Sequence, residues 1–188
     1  MADILEMPEV RARVSRLSVA EYHQLGEYNE NGRPTELIRG IVIEKTSKSP
    51  VHASIQTLLP DFIKTMVPPG FLVRIDNPLT FLDSEPEPDL AVVRGTLRDF
   101  FASHPTTADL VVEVAVSSVA LDRENASLYA EACVQEYWIV LARQQQVEVY
   151  RRPEQGVYRE QRVYARDETL VCESVPSIRL ELADLFLS

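Results

Sequence analysis

The sequence predicts an α/β (α+β) protein, a mixed β-sheet core flanked by helices, with a helix and a β-hairpin at its N-terminal end. Three observations carry this. Runs rich in β-branched and aromatic residues follow one another from Phe71 to Val116 and return over 136–151. Two of them, Leu90-Ala91-Val92-Val93 and Leu110–Val116, are apolar on both faces, as central strands covered on each side are. Helical periodicity interrupts the strands at Ile55–Met66 and again around Leu128 and Tyr129. The chain has 188 residues, 45% of them apolar and 26% charged, the size and balance of one domain with a single core. Residues 1–16 read as a loose N-terminal arm and 17–188 as a single domain.

The elements follow in chain order. Ser18 and Glu21 form a capping box, with Leu17 and Tyr22 at the staple positions, so a short helix should begin there and end near Gly26. Glu36–Ile38 and Ile41–Glu44 meet at Gly40, which supplies the positive φ of a hairpin turn. Ser49-Pro50 is an N-cap with proline at the first helical position, and Ile55, Leu58, Leu59, Phe62, Ile63 and Met66 then mark one helical face. Pro60 lies inside that pattern and predicts a kink or a break. Strands are expected over 71–75, 79–82, 89–93 and 110–116, with a longer loop around Gly95–Thr107. Asp122 reads as the cap of a helix carrying Leu128, Tyr129 and Ala132. Strands at 136–141, 147–152 and 157–165, the alternation of Ile178, Leu180 and Leu182, and a short C-terminal helix complete the chain.

Composition excludes several function classes. No apolar run reaches the ~18 residues of a membrane span. The start MADILEMPEVRARVSR lacks the apolar stretch of a secretory signal, so a cytoplasmic location is expected. Cys133 and Cys172 are too few for a disulfide framework or a four-cysteine zinc site. With 29 acidic and 19 basic residues the net charge is −10, and the only lysines are Lys45, Lys48 and Lys64. Such a surface repels nucleic acid at long range, so a nucleic-acid role requires a local argument.

That argument comes from two carboxylates. Glu113 sits in the middle of an apolar strand, where an isolated carboxylate costs several kcal/mol, so it is protonated, paired with one of sixteen arginines, or bound to a metal. Asp89 is delivered to the mouth of the neighbouring apolar strand by the rigid Pro86-Glu87-Pro88 turn. Two carboxylates converging from adjacent strands offer oxygen ligands only, which suit Mg²⁺ or Mn²⁺ better than zinc. They also suit a glycosidase acid/base pair, which the distance between the carboxyl groups would decide.

The string from Asp83 to Gly95 with Glu85-Pro86-Glu87-Pro88-Asp89 at its centre, His104-Pro105, Leu110–Val114, Leu128-Tyr129-Ala130 and Glu136–Val140 resembles the bacterial family of putative restriction endonuclease domains. That family belongs to the PD-(D/E)XK nuclease superfamily. The resemblance extends to Glu36-Leu37-Ile38 with Gly40 and to Ser49-Pro50 with His52, and covers about 17–187. It implies a restriction-endonuclease-like fold and a Mg²⁺-dependent (or Mn²⁺-dependent) endonuclease acting on DNA phosphodiester bonds, working as a homodimer. In it Asp89 and Glu113 are the motif acids, and the Val114 carbonyl is the third metal ligand. The motif lysine is absent. Residue 115, two beyond the glutamate, is alanine, and the position four before Tyr129, where the family carries its lysine on a helix, is Asn125. Asn125 can orient water but supplies no charge; Arg123 and Lys48 are the two basic residues put forward in the lysine's place. This departure opens an alternative, a catalytically inactive homodimer of the same fold that binds nucleic acid or protein.

Other polar residues have two readings each. His52 is an accessory ligand or phosphate contact, or a helix-terminal histidine bonded to its loop. Glu36 is accessory to the site, or paired with Arg39. His23 and His104 are expected to be solvated, Tyr129, Tyr137 and Trp138 to be core, and Cys133 to be a small buried hydrophobe.

Overall fold

The computed structural model describes residues 7–25, 32–45 and 47–186, and Gly26, the expected end of the first helix, lies outside them. The described chain divides into two compact units: residues up to Lys45 with Leu82–Pro86, and the rest.

In the smaller unit α1 (Pro8–Arg11) is a single exposed turn. The capping box starts α2 (Val19–Leu25): the Ser18 amide donates to Glu21 Oε2 at 2.8 Å, and the Glu21 amide donates to Ser18 Oγ at 3.3 Å. Strands β1 (Thr35–Ile38) and β2 (Ile41–Glu44) pair antiparallel. Arg39 (φ 54°) and Gly40 (φ 75°) turn the chain between them as a type I′ hairpin requires. A Cβ on Gly40 would stand 2.6 Å from Arg16 Cβ, so space as well as dihedral demands glycine. The Tyr22 hydroxyl donates to the Thr35 carbonyl at 2.8 Å, tying helix to hairpin.

The larger unit is built on a six-stranded mixed sheet in the order β3-β4-β5-β6-β7-β8. These strands are β3 (Phe71–Arg74), β4 (Leu90–Arg94), β5 (Leu110–Ala115), β6 (Glu136–Leu141), β7 (Gln146–Glu154) and β8 (Val157–Ala165). Only β5 and β6 run parallel, joined by the crossover helix α4 (Val119–Glu131). Helix α3 (Pro50–Met66), capped by Ser49, buries Ile55, Leu59 and Ile63 in the cluster that holds Val92, Val112, Val114 and Trp138. Strands β9 (Thr169–Val171) and β10 (Arg179–Glu181) and helix α5 (Leu182–Leu185) supply Leu170, Leu180, Leu182 and Leu185 to the same cluster. The other face carries Val93, Val111, Ala115, Tyr137 and Ile139, covered by Tyr129 of α4. The mixed sheet flanked by helices is the architecture read from the sequence.

Four local expectations need correction. Of the kink or break expected at Pro60, the break does not occur: helix α3 runs on to Met66, since one missing donor is outweighed by the burial of Leu59, Pro60 and Ile63. Residues 79–82 are not a strand; Pro78 precedes them, and their apolar character reflects burial of Leu79 while the Thr80 amide donates to the Pro105 carbonyl at 2.9 Å. Helix α4 is capped at Ser118, not Asp122, which lies in the first turn, where a carboxylate also suits the helix dipole. Cys133 is exposed: it takes φ 56° at the end of α4, in a Schellman closure where Val134 N donates to Tyr129 O and Cys133 N to Ala130 O.

Two buried acids in the strands are held by arginines. Glu136, 1% exposed, accepts from Trp138 Nε1 at 2.8 Å, from the Ser174 amide at 3.0 Å and from the Glu173 amide, with Arg151 Nε 3.3 Å away. Removing one partner of such a pair strands the other, so Glu136→Ala is expected to cost about 3–5 kcal/mol in urea unfolding. Glu148 is gripped through two nitrogens by Arg123, whose hydrogen bonds hold its carboxyl below the ordinary range. A lowered folded pKa stabilises above the unfolded value of about 4.3 and is lost as pH falls through the folded one. Denaturation of wild type and Glu148→Gln is therefore expected to show a stability gap at pH 7 that closes toward pH 3.

Candidate active site

The acid pair forms where β4 stops and β5 continues. Leu90 is opposite Val112 in the antiparallel register, and Asp89 stands one step beyond, level with Glu113. Pro86 and Pro88 have no amide to offer a ladder, so the chain leaves the sheet there. Side chains take over the pairing. Asp89 Oδ2 accepts the Val114 amide at 2.8 Å, and Glu113 Oε2 accepts the Asp89 amide at 3.2 Å. The reciprocal bonds fix both carboxylates to the opposite strand.

A second ring of contacts surrounds the pair. The Tyr129 hydroxyl, from the buried face of α4, donates to Glu113 Oε1 at 2.9 Å. His52, on the first turn of α3, places Nε2 3.1 Å from Asp89 Oδ2, while its Nδ1 is buried without a hydrogen-bond partner among the described residues. Lys48 Nζ lies 3.8 Å from Asp89 Oδ1 and donates to both oxygens of Asp76 at 2.8 and 2.9 Å. Gln56 Nε2 donates to Asp76 Oδ1 at 2.8 Å. Asn125 is buried on α4 one turn before Tyr129, and Ser118 Oγ donates to Asp122 Oδ2 at 2.6 Å in the same helix. Burial, then the charges of Glu113 and Asp122, push the Tyr137 hydroxyl well above the usual tyrosine value, as its 2.9 Å bond to the Asp122 carbonyl keeps it a donor.

The structure thus brings Asp89, Glu113, Val114 and His52 together. Of the two basic candidates it brings Lys48 to Asp89, whereas Arg123 is engaged with Glu148. Glu36 lies in the hairpin of the smaller unit, opposite Ile43. His23 is not simply solvated but bonds Glu85 at 2.6 Å within that unit, and half-buried His104 meets Arg74 at 3.2 Å. Sequence reading placed Tyr129 in the core without its bond to Glu113, and missed Asp76 and Gln56. Gln56 was visible as a polar residue one turn from His52 on the same face of α3. Asp76 takes φ 48°, a turn conformation that the following Asn77-Pro78 signals.

Among the described residues no three His, Cys, Asp or Glu side chains form a ready-made cation cage. The donors at Asp89 and Glu113 are oxygens alone, a set suited to a hard cation that keeps water or substrate oxygens in its remaining positions. A cleft of about 550 Å³, lined by Arg94, Asp109, Cys133 and Ser174, lies at the opposite end of β4 and β5, where Arg94 pairs with Asp109 at 2.8 Å.

The fold is a helix-flanked mixed sheet in which Asp89, next to the first residue of β4, faces Glu113 within β5. Among solved structures, a putative nuclease belonging to DUF820 from Anabaena variabilis ATCC 29413 superposes with a TM-score of 0.76 over 90% of this chain and 97% of its own, at 23% identity, a likeness of fold. The profile of the Uma2 family, described as putative restriction endonuclease, matches residues 19–183, and the chain belongs to that family. No curated protein matches it. No helix among the described residues is long and apolar enough to cross a membrane.

The Tyr129 bond to Glu113 is a donor to a charged group, a kind worth about 1.5–3 kcal/mol. Tyr129→Phe, which keeps the ring and its packing, is expected to lose about that much in thermal or urea unfolding, and less in a Glu113→Gln background.

Proposed function

We propose that the chain is an endonuclease hydrolysing DNA phosphodiester bonds with a divalent cation, Mg²⁺ or Mn²⁺, held by Asp89, Glu113 and the Val114 carbonyl. The observation that carries this reading is the reciprocal anchoring of Asp89 and Glu113 at the end of two adjacent strands, in a chain of the Uma2 family. A bound cation would supply Lewis acidity toward the phosphodiester and lower the pKa of a coordinated water. The chain's own residues do the rest. The Val114 amide and His52 restrain Asp89, and Tyr129 restrains Glu113, so two like charges are kept close without either turning away. Asn125 offers an amide to orient water. A cation bound there would also offset the local negative charge that repels a DNA strand. Cutting both strands at one position takes two such sites, so the active form is expected to be a homodimer.

A second reading has its own observation: Ala115 and Asn125 occupy the places where the family lysine would stand. On it the chain is an inactive homodimer that binds nucleic acid or protein. Plasmid cleavage separates the two. The endonuclease reading expects cleavage that requires Mg²⁺ or Mn²⁺ and vanishes in Asp89→Asn, which keeps an oxygen for the Val114 amide. It also expects Mg²⁺ to raise the melting temperature of wild type by mass action, about 2.7 kcal/mol of stabilisation at a hundredfold excess over Kd, and not that of Glu113→Gln. Absence of cleavage with every divalent ion, together with activity gained in Asn125→Lys, would establish the inactive reading instead.

A further inference from the structure

We infer that Lys48 is the positive charge of this site, set to contact the phosphate of a nucleic-acid strand, and that Asp76 is its positioning residue. The inference rests on the endonuclease reading. Phosphodiester hydrolysis places added negative charge on the phosphorus oxygens in its transition state, and a fixed cation aimed at them is commonly worth 10²–10³-fold in rate. Neither Ala115 nor Asn125 can supply it, and Arg123 is committed to Glu148.

Lys48 has the required placement. Its ammonium is 3.8 Å from Asp89 Oδ1, and its side chain is 35% exposed against 11% for Asp89, so it is open to solvent beside a buried acid. Asp76 holds it with both carboxylate oxygens, Gln56 holds Asp76, and His52, one turn before Gln56 on α3, reaches Asp89. The network is therefore anchored to one helix at both ends. Half-exposed ion pairs of this kind add little to stability. What the Asp76 contact does is hold a flexible four-carbon side chain, otherwise free to sample many rotamers, with its charge beside the acid pair.

The test combines plasmid cleavage with a Mg²⁺ titration read by melting temperature, which does not depend on activity. In K48M, cleavage is expected to fall 10²–10³-fold, while the Mg²⁺ midpoint moves about three- to tenfold lower, because a cation next to Asp89 no longer opposes the incoming dication. K48R is expected to recover part of the rate. Asp76→Asn is expected to lower the rate less than K48M and to weaken its dependence on Lys48, so that the double variant is no slower than K48M. Melting without Mg²⁺ checks that each variant folds. Cleavage by K48M at the wild-type rate overturns the assignment, as does a Mg²⁺ midpoint that K48M leaves unmoved. A wild type that cleaves no nucleic acid overturns the endonuclease reading, and the Mg²⁺ midpoint then still judges whether the charge of Lys48 acts on the acid pair.

Discussion

The constraint on which the larger unit depends is the mismatch in length between β4 and β5. Strand β5 pairs with β6 from Leu110 to Ala115, but with β4 only through Val112. Beyond that point its edge would present an unpaired amide inside the sheet, a loss comparable to a missing hydrogen bond. The Asp89 carboxylate fills the position at Val114, and the Asp89 amide is satisfied in turn by Glu113. One pair of bonds completes the sheet and assembles the acids. The same four groups close the sheet edge and bring the acids together, so neither acid can be replaced by an apolar residue without opening that edge.

Two other buried carboxylates of the sheet behave differently. Glu136 and Glu148 each face an arginine, Arg151 or Arg123, and their remaining lone pairs are filled by amides, an indole or a tyrosine hydroxyl. Asp89 and Glu113 are held by main-chain amides and a hydroxyl, and the nearest full cation at Asp89 is a lysine at 3.8 Å rather than a bidentate guanidinium at contact. The arginine pairs tie α4, through Arg123, and the segment around Glu173, through Glu136, to the sheet.

Much of this was legible in the residues. The Arg39-Gly40 turn, the Ser18 and Ser49 caps and the two doubly apolar strands carry local signals that tertiary context did not override. Glu113 could be singled out because a carboxylate between valines has few bearable environments. The same logic applied to Glu136 and Glu148, yet their arginines come from β7 and α4, and only the fold decides which strand is neighbour to which. The misreadings at 79–82 and Asp122 share a cause. An apolar run reports burial whether or not it is paired, and an aspartate near a helix start is favoured both as a cap and inside the first turn. Cys133 was read from residue type, whereas its φ of 56° is set by the way α4 ends.

Lys48 shows how a fold brings to a site a side chain that is distant from it in sequence. Nothing in the spacing from Lys48 to Asp89 or Glu113 announces proximity, since α3, β3 and the proline-rich approach to β4 intervene. The link is topological: β3 pairs antiparallel with β4, so the turn after Arg74, which holds Asp76, returns to the end of the sheet where β4 begins. The Ser49 cap brings the start of α3, and Lys48 just before it, to the same end. The chain has three lysines in all, and one of them stands at that end. The overall charge resists nucleic acid at long range, and on the endonuclease reading Lys48 and a cation at the acid pair would favour a phosphate at contact distance. Association should accordingly be slow and weakly steered, with recognition concentrated at the site itself.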